Sequence, residues 1–448
     1  AFWGKDPNLR LAYVSTMDGS VKDLMMLSRK LPRTPIMSLS PDGKYIACSY
    51  PPHEDSPNSD ILLLSIDGGR ETTIVEHPAD DVVLGWSPDG ERVIFASDRT
   101  GSVGTWVVRV SDGKAVGVPE LVRGDMGNLR PLGIARNGKL YYGLYSGWSD
   151  VYFATVDPET GRLQAPPAKA IRKYETFNSA PDWSPDGQFL ACRSSRGGSA
   201  ADTPALLVRS LRTNEVRELN PKMTGSLNFH YIRWSPSGQS ILGIGQAETG
   251  GTYGALLSID VQTGQTKTIA RPDQDSIFAP DWGADGRNIY FRRLRGQVTR
   301  VIKLDLETGS EQEILRYPQG IGNFFFRISP DGSHLAVFAE NKITVFSRDG
   351  KESRELAQVK DVSTVAWTGD GKGILYGRLR DGSKDAVDLW RIPVGGGEPQ
   401  QTGLSMSRLM HLRVSPDGKS VAFTASEQPA KHEVWVMENF LPVNRVKR

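Results

Sequence analysis

The sequence predicts an all-β chain: a propeller of four-stranded antiparallel sheets. Three observations carry that prediction. One turn motif recurs along the whole chain, an apolar run of strand length follows its copies, and the copies are spaced by what four short strands and their turns consume. The clearest copy is Trp86-Ser87-Pro88-Asp89-Gly90, followed by Val93-Ile94-Phe95-Ala96. Proline presets φ at the second turn position, aspartate suits the third, and glycine accepts the positive φ that follows. The apolar run is β-branched and aromatic, a composition that strands favour.

Nine copies align on the turn aspartate or its equivalent, at Asp42, Asp89, Asn137, Asp186, Ser237, Asp285, Asp331, Asp370 and Asp417. Their separations are 47, 48, 49, 51, 48, 46, 39 and 47 residues, and all nine keep the glycine that follows. Second strands come next, as in Tyr45 to Cys48, Phe189 to Cys192, Ile289 to Phe291, His334 to Phe338 and Val421 to Thr424. Third strands end in another turn, as in Ile61 to Ile66 before Asp67-Gly68-Gly69 and Val151 to Val156 before Glu159-Thr160-Gly161. A fourth, more polar strand leads into the next repeat.

At the ends, Leu9 to Thr16 and Asp23 to Ser28 read as a third and a fourth strand, while the last repeat has three strands and ends with Glu433 to Met437. Strands from both termini are therefore expected to close one ring of about nine sheets, leaving no open edge. No linker-like Pro/Gly/Ser stretch divides the chain, so residues 1–448 are expected to form a single domain. An eight-sheet ring with one repeat recruited otherwise, or two smaller rings, are the arrangements that the spacing leaves open.

Composition agrees with a packed fold: 38% of residues are hydrophobic and 24% charged, which argues against disorder. The 54 basic and 52 acidic residues nearly balance, so no nucleic-acid partner is expected. Cys48 and Cys192 occupy matching places in two repeats and read as buried free thiols. No apolar run approaches the ~18–20 residues of a membrane span.

Motifs of catalysis are sparse. The chain has no G-x-S-x-G, no H-E-x-x-H and no phosphate loop, and its six histidines (His53, His77, His230, His334, His411 and His432) are scattered. Neither a catalytic residue, nor a metal, nor a cofactor is expected from these patterns. The turn aspartates read as acceptors for their own turn backbone. Trp86, Trp183, Trp234, Trp282 and Trp367 read as fillers between neighbouring sheets.

Binding residues are sought where the first strand of each sheet lines the channel. Just ahead of each tryptophan or its equivalent stand Ser38, Gly85, Gly133, Asp182, Arg233, Asp281, Arg327, Ala366 and Arg413. Arg130, Phe229, His230, Phe324 and His411 come slightly earlier. Arginine and aromatic residues anchor partners and anionic groups. The candidate channel-mouth site is thus Arg130, Asp182, Phe229, His230, Arg233, Asp281, Phe324, Arg327, His411 and Arg413. The competing reading is that Arg and Asp simply pair around a wet channel. If they bind a ligand, Arg327→Ala with Arg413→Ala should weaken binding at little cost in stability.

The pattern Trp-Ser-Pro-Asp-Gly-x-x-(Ile/Leu)-(Ala/Tyr)-Phe, close at Trp86, Trp183 and Trp234 and altered at Trp282 and Trp367, resembles the WD40-like repeat of TolB and related bacterial propellers. The resemblance covers nearly the whole chain. It implies the propeller fold and a tendency towards protein interaction. The expectation that results is a non-enzymatic scaffold that binds a protein or peptide partner, periplasmic or otherwise extracytoplasmic in a bacterium, as the sensory or interaction part of a larger protein or assembly. The alternative is a propeller lyase, or the gating propeller of a prolyl-oligopeptidase-like peptidase.

Overall fold

The computed structural model describes residues 9–27, 36–53, 56, 58–67, 70–100, 102–124, 126, 129–146, 149–171, 177–195, 204–219, 221, 231–245, 254–271, 275–318, 323–427 and 431–441. Every regular element among them is a β-strand, and no helix is long and apolar enough to cross a membrane. The chain divides into two compact units. A terminal unit comprises Ala1–Ser146, Gly197–Thr203 and Lys431–Arg448, and a central unit comprises Gly147–Arg196 and Pro204–Ala430.

The central unit is a closed ring of six sheets. Four of them are sequential antiparallel sheets, entered by Asn178–Trp183, Arg233–Trp234, Ser276–Trp282 and Phe325–Ile328. Val362–Trp367 opens the fifth, whose outermost strand is the first part of Gln400–Val414. The last part of that same strand opens the sixth sheet by pairing with Ser420–Ser426. Positive φ at Arg408 (55°) and His411 (53°) turns the strand from one sheet into the next.

Ring closure is made by an early segment. Asp150–Thr155 pairs with Ser420–Ser426, Asp150 facing Ala425, and Ala168–Lys169 completes that sheet outside it. An apolar core fills each of the six junctions. At the closing one, Val151 and Ala422 pack against Trp183, Leu190, Cys192 and Leu207. The ring therefore holds six sheets where the repeat count suggested about nine. The reason lies in the ladders: the strand after the last turn pairs inside the central unit, and Lys431–Met437 leaves to pair with Leu140–Ser146.

The terminal unit contains the other repeats. Met37–Leu39 and Asp81–Trp86 open two four-stranded sheets, and Leu129–Ile134, Leu140–Ser146 and Lys431–Met437 form a three-stranded one. Leu9–Val14 and Val21–Leu27 pair with each other as a hairpin, so among the described residues the N-terminal strands do not close the ring as expected.

Local chemistry explains the repeat. All nine turn glycines have φ between 66° and 82°, which L side chains adopt only at a cost. In the Asp331 turn, the carboxylate accepts from the Ser329 hydroxyl at 2.5 Å and from the Ser333 amide at 3.1 Å. Second strands are buried on both faces because each sheet is sandwiched between neighbours; Val93, Ile94 and Phe95 are fully buried. Outer strands are exposed, as in Lys114–Arg123. Cys48 and Cys192 are buried free thiols.

Candidate channel site

The tryptophans act between sheets, as the sequence suggests. Trp367 donates its indole N–H to the carbonyl of Arg327 in the preceding sheet at 3.0 Å, and Trp183 reaches the carbonyl of Arg413 at 3.4 Å. Trp367 and Trp183 thereby hold in place the residue that precedes the neighbouring sheet's turn. Six such residues, one per sheet of the central unit, gather around the channel. In ring order they are Asp182, Arg233, Asp281, Arg327, Ala366 and Arg413, and all six line one cavity of about 280 Å³ together with Trp183, Trp234, Trp282 and Trp367.

These groups are buried: Arg233, Arg327 and Arg413 are 5%, 3% and 8% exposed. Two acid–base pairs bridge neighbouring sheets. Arg233 Nε donates to Asp281 Oδ1 at 3.1 Å, and Arg413 Nε lies 3.2 Å from Asp182 Oδ1. The second oxygen of each acid accepts a backbone N–H of the following sheet, that of Trp234 at 2.7 Å for Asp182 and that of Ile328 at 3.3 Å for Asp281. Each arginine also donates to the carbonyl of the residue before it.

The ring contains three arginines and two aspartates, so its ionised form carries an excess positive charge. Burial opposes charge of either sign here. It lowers Arg327 to about 10, the nearby Arg233 guanidinium adding to the effect. It raises the Asp182 carboxyl, against the pull of Arg233. Arg327 Nε and one terminal nitrogen of Arg233 are buried without a hydrogen-bond partner among the described residues.

Asp182, Arg233, Asp281, Arg327 and Arg413 are thus brought together, but as buried groups. Arg327 and Arg413 are both buried, so replacing the two by alanine would leave unfilled volume in the ring. Phe324 packs in the core between the third and fourth sheets, 4% exposed, against Tyr317 and Phe326. His411 lies outside the cavity lining, with Nδ1 3.2 Å from Thr424 Oγ1 and its ring edge-on to Tyr231. Arg130 belongs to the terminal unit, on Leu129–Ile134. Phe229 and His230 lie outside the described residues. The terminal unit has its own cavity of about 790 Å³, lined largely by apolar residues such as Leu39, Leu84, Leu132 and Ile134.

Ala366 carried no functional signal in the sequence, and neither did the hydroxyls that serve the inner strand edges. Thr424 Oγ1 accepts from the Ala180 amide and Thr364 Oγ1 from the Leu412 amide, each at 3.0 Å. Their roles depend on which sheets adjoin, which no local pattern records.

No family model matches the chain. Over 378 residues it is 22% identical to dipeptidyl-peptidase 5 of Porphyromonas gingivalis, a match covering 70% of this chain and 55% of that protein. Over 175 residues it is 28% identical to the uncharacterized peptidase YuxL of Bacillus subtilis, covering 37% of this chain and 22% of that protein. The chain thus matches little more than half the length of one curated relative and under a quarter of the other. Among solved structures, the putative TolB from Agrobacterium tumefaciens superposes with a TM-score of 0.51 at 17% identity, covering 63% of this chain and 99% of that one. The chain carries a TolB-like β-propeller.

The expectation of a protein without enzymatic connection is overturned by the dipeptidyl-peptidase match, which runs through most of the chain. Motif searches detect a nucleophile's immediate neighbourhood. A propeller can belong to an enzyme without holding its nucleophile.

Proposed function

We propose that this chain is the propeller of a peptidase-type protein and that its six-sheet unit receives a peptide or a protein segment. The observation that carries the reading is the 378-residue similarity to a dipeptidyl-peptidase. The cationic cavity supports it, because a buried guanidinium ring beside indole rings suits polar, partly anionic chains. Work outside the cytoplasm of a bacterium is part of the same proposal, and cell fractionation checks it.

The test is binding of a mixed library of unprotected short peptides to the whole chain, with mass spectrometry of what is retained. Saturable retention of peptides, lost on competition with one of them, supports the reading. No peptide retained at millimolar concentration overturns it.

A further inference from the structure

Around the ring the six channel positions read acid, base, acid, base, alanine, base. The alternation fails only at Ala366. Both acids do the same two things: one oxygen meets the arginine of the preceding sheet, and the other accepts an N–H of the following sheet. At Ala366 the preceding arginine is Arg327, and the amide in the corresponding place is that of Val414. Ala366 presents only a methyl group to them.

Arg327 shows the consequence. It is 3% exposed and lines the cavity, and its Nε has no hydrogen-bond partner among the described residues. Nor does any carboxylate among those residues lie within ion-pair distance of it, unlike Arg233 and Arg413. Ala366, Arg413 and Val414 border the same cavity. A buried cation with a free donor, beside space where its neighbours have an acid, favours an anionic group that can accept hydrogen bonds.

We propose that the gap at Ala366 is a seat for one carboxylate group, held by Arg327 with Arg413 beside it. The ligand's charge makes the ring neutral, and its oxygens take the two places that the Asp182 and Asp281 carboxylates take elsewhere. A carboxylate suits the seat because it offers two oxygens in one plane, as those side chains do. The carboxylate comes from the end or an acidic side chain of a peptide, or from a small free acid. Only the peptide source rests on the function proposed above.

The experiment is calorimetric titration of the whole chain with acetate, with a short neutral peptide ending in a free carboxylate, and with the same peptide amidated. Saturable binding of acetate or of the free-acid peptide is expected. Arg327→Gln should weaken it about 10- to 100-fold, the loss typical of a charged hydrogen-bond partner. Ala366→Asp should abolish it by filling the seat from within. Tighter binding of the free-acid peptide than of acetate, with none of the amide, supports the seat with a peptide source. Equal binding of acetate and peptide acid supports the seat with a free acid as its source, and then peptide retention in the library test decides the peptidase reading separately. No saturable carboxylate binding by the wild-type chain overturns the seat, as does unchanged binding by Ala366→Asp. Circular dichroism of each variant confirms folding, and the wild-type titration decides the matter should a variant not fold.

Discussion

Replacing Arg327 by methionine should stabilise the central unit, although it deletes a buried charged side chain. Burial lowers the Arg327 pKa to about 10, which corresponds to roughly 3 kcal/mol of unfavourable charging. Methionine removes that penalty and keeps most of the apolar stem's volume. It also removes the bond that Arg327 Nη1 donates to the Phe326 carbonyl at 2.6 Å, a loss of about 1.5 kcal/mol. The net gain is about 1–2 kcal/mol, or a rise in Tm of about 2–8 °C for a unit of this size. Arg413→Met makes the same chemical change with the opposite result. It removes the guanidinium 3.2 Å from the Asp182 carboxylate and leaves that buried acid with the Trp234 amide, at a cost of up to about 3–5 kcal/mol. Urea unfolding followed by tryptophan fluorescence, at pH 7 in a carboxylate-free buffer, measures both. A loss of stability beyond about 1 kcal/mol in Arg327→Met, or a neutral Arg413→Met, would refute the charge assignment in the ring, since the scale expected of a buried pair is several times larger.

Three further outcomes follow from packing and titration. A Cβ added at Gly369 would come within 2.8 Å of the Gly418 backbone, whereas nothing lies within 4 Å of one at Gly395. Gly369→Ala should therefore cost about 1–3 kcal/mol and Gly395→Ala under about 0.5 kcal/mol; equal melting temperatures contradict this. Asp331, through the Ser329 hydroxyl first, and Asp305, through the Thr308 amide first, are held at about 2 against an ordinary 3.8. Because these pKa values are lower in the folded chain, the stability they confer is present above about pH 4 and lost as pH falls towards 2. The urea midpoint should fall over that window, and Asp331→Asn should flatten the fall; an unchanged slope rules the turn carboxylate out as a cause. Cys48 is buried and its thiol pushed up to about 12, and the fully buried Cys192 is pushed up further. Thiol reagents should label neither in the native protein and both in urea; rapid native labelling would show that these cores open.

The turn glycines and the tryptophans were legible because their reasons are local: a positive φ and a large ring beside a turn act wherever the motif occurs. The grouping of repeats was not legible. Nine similar turns do not say that Ser420–Ser426 will choose Asp150–Thr155 as its neighbour, because that choice is settled by the packing of Val151 and Ala422 against Trp183. The candidate site was legible in part for the same reason. Asp182, Arg233, Asp281, Arg327 and Arg413 share a motif position and were found by it. Phe324 has the residue type of a binding anchor, but Tyr317 and Phe326 pack against it in the core. Ala366 gains meaning only once its ring neighbours are known to be Arg327 and Arg413.

The strand that closes the six-sheet ring is nearly the first of its unit in sequence, and it faces a strand that is nearly the last, Asp150 opposite Ala425. During synthesis the early strand must wait, its edge unpaired, until almost the entire unit has been made. An open edge of this kind invites pairing with other chains, and so long-range a ladder forms slowly. The ring is thus most vulnerable just before completion. Afterwards its first and last strands lock each other, so a single sheet cannot peel away without opening the junction that holds both ends.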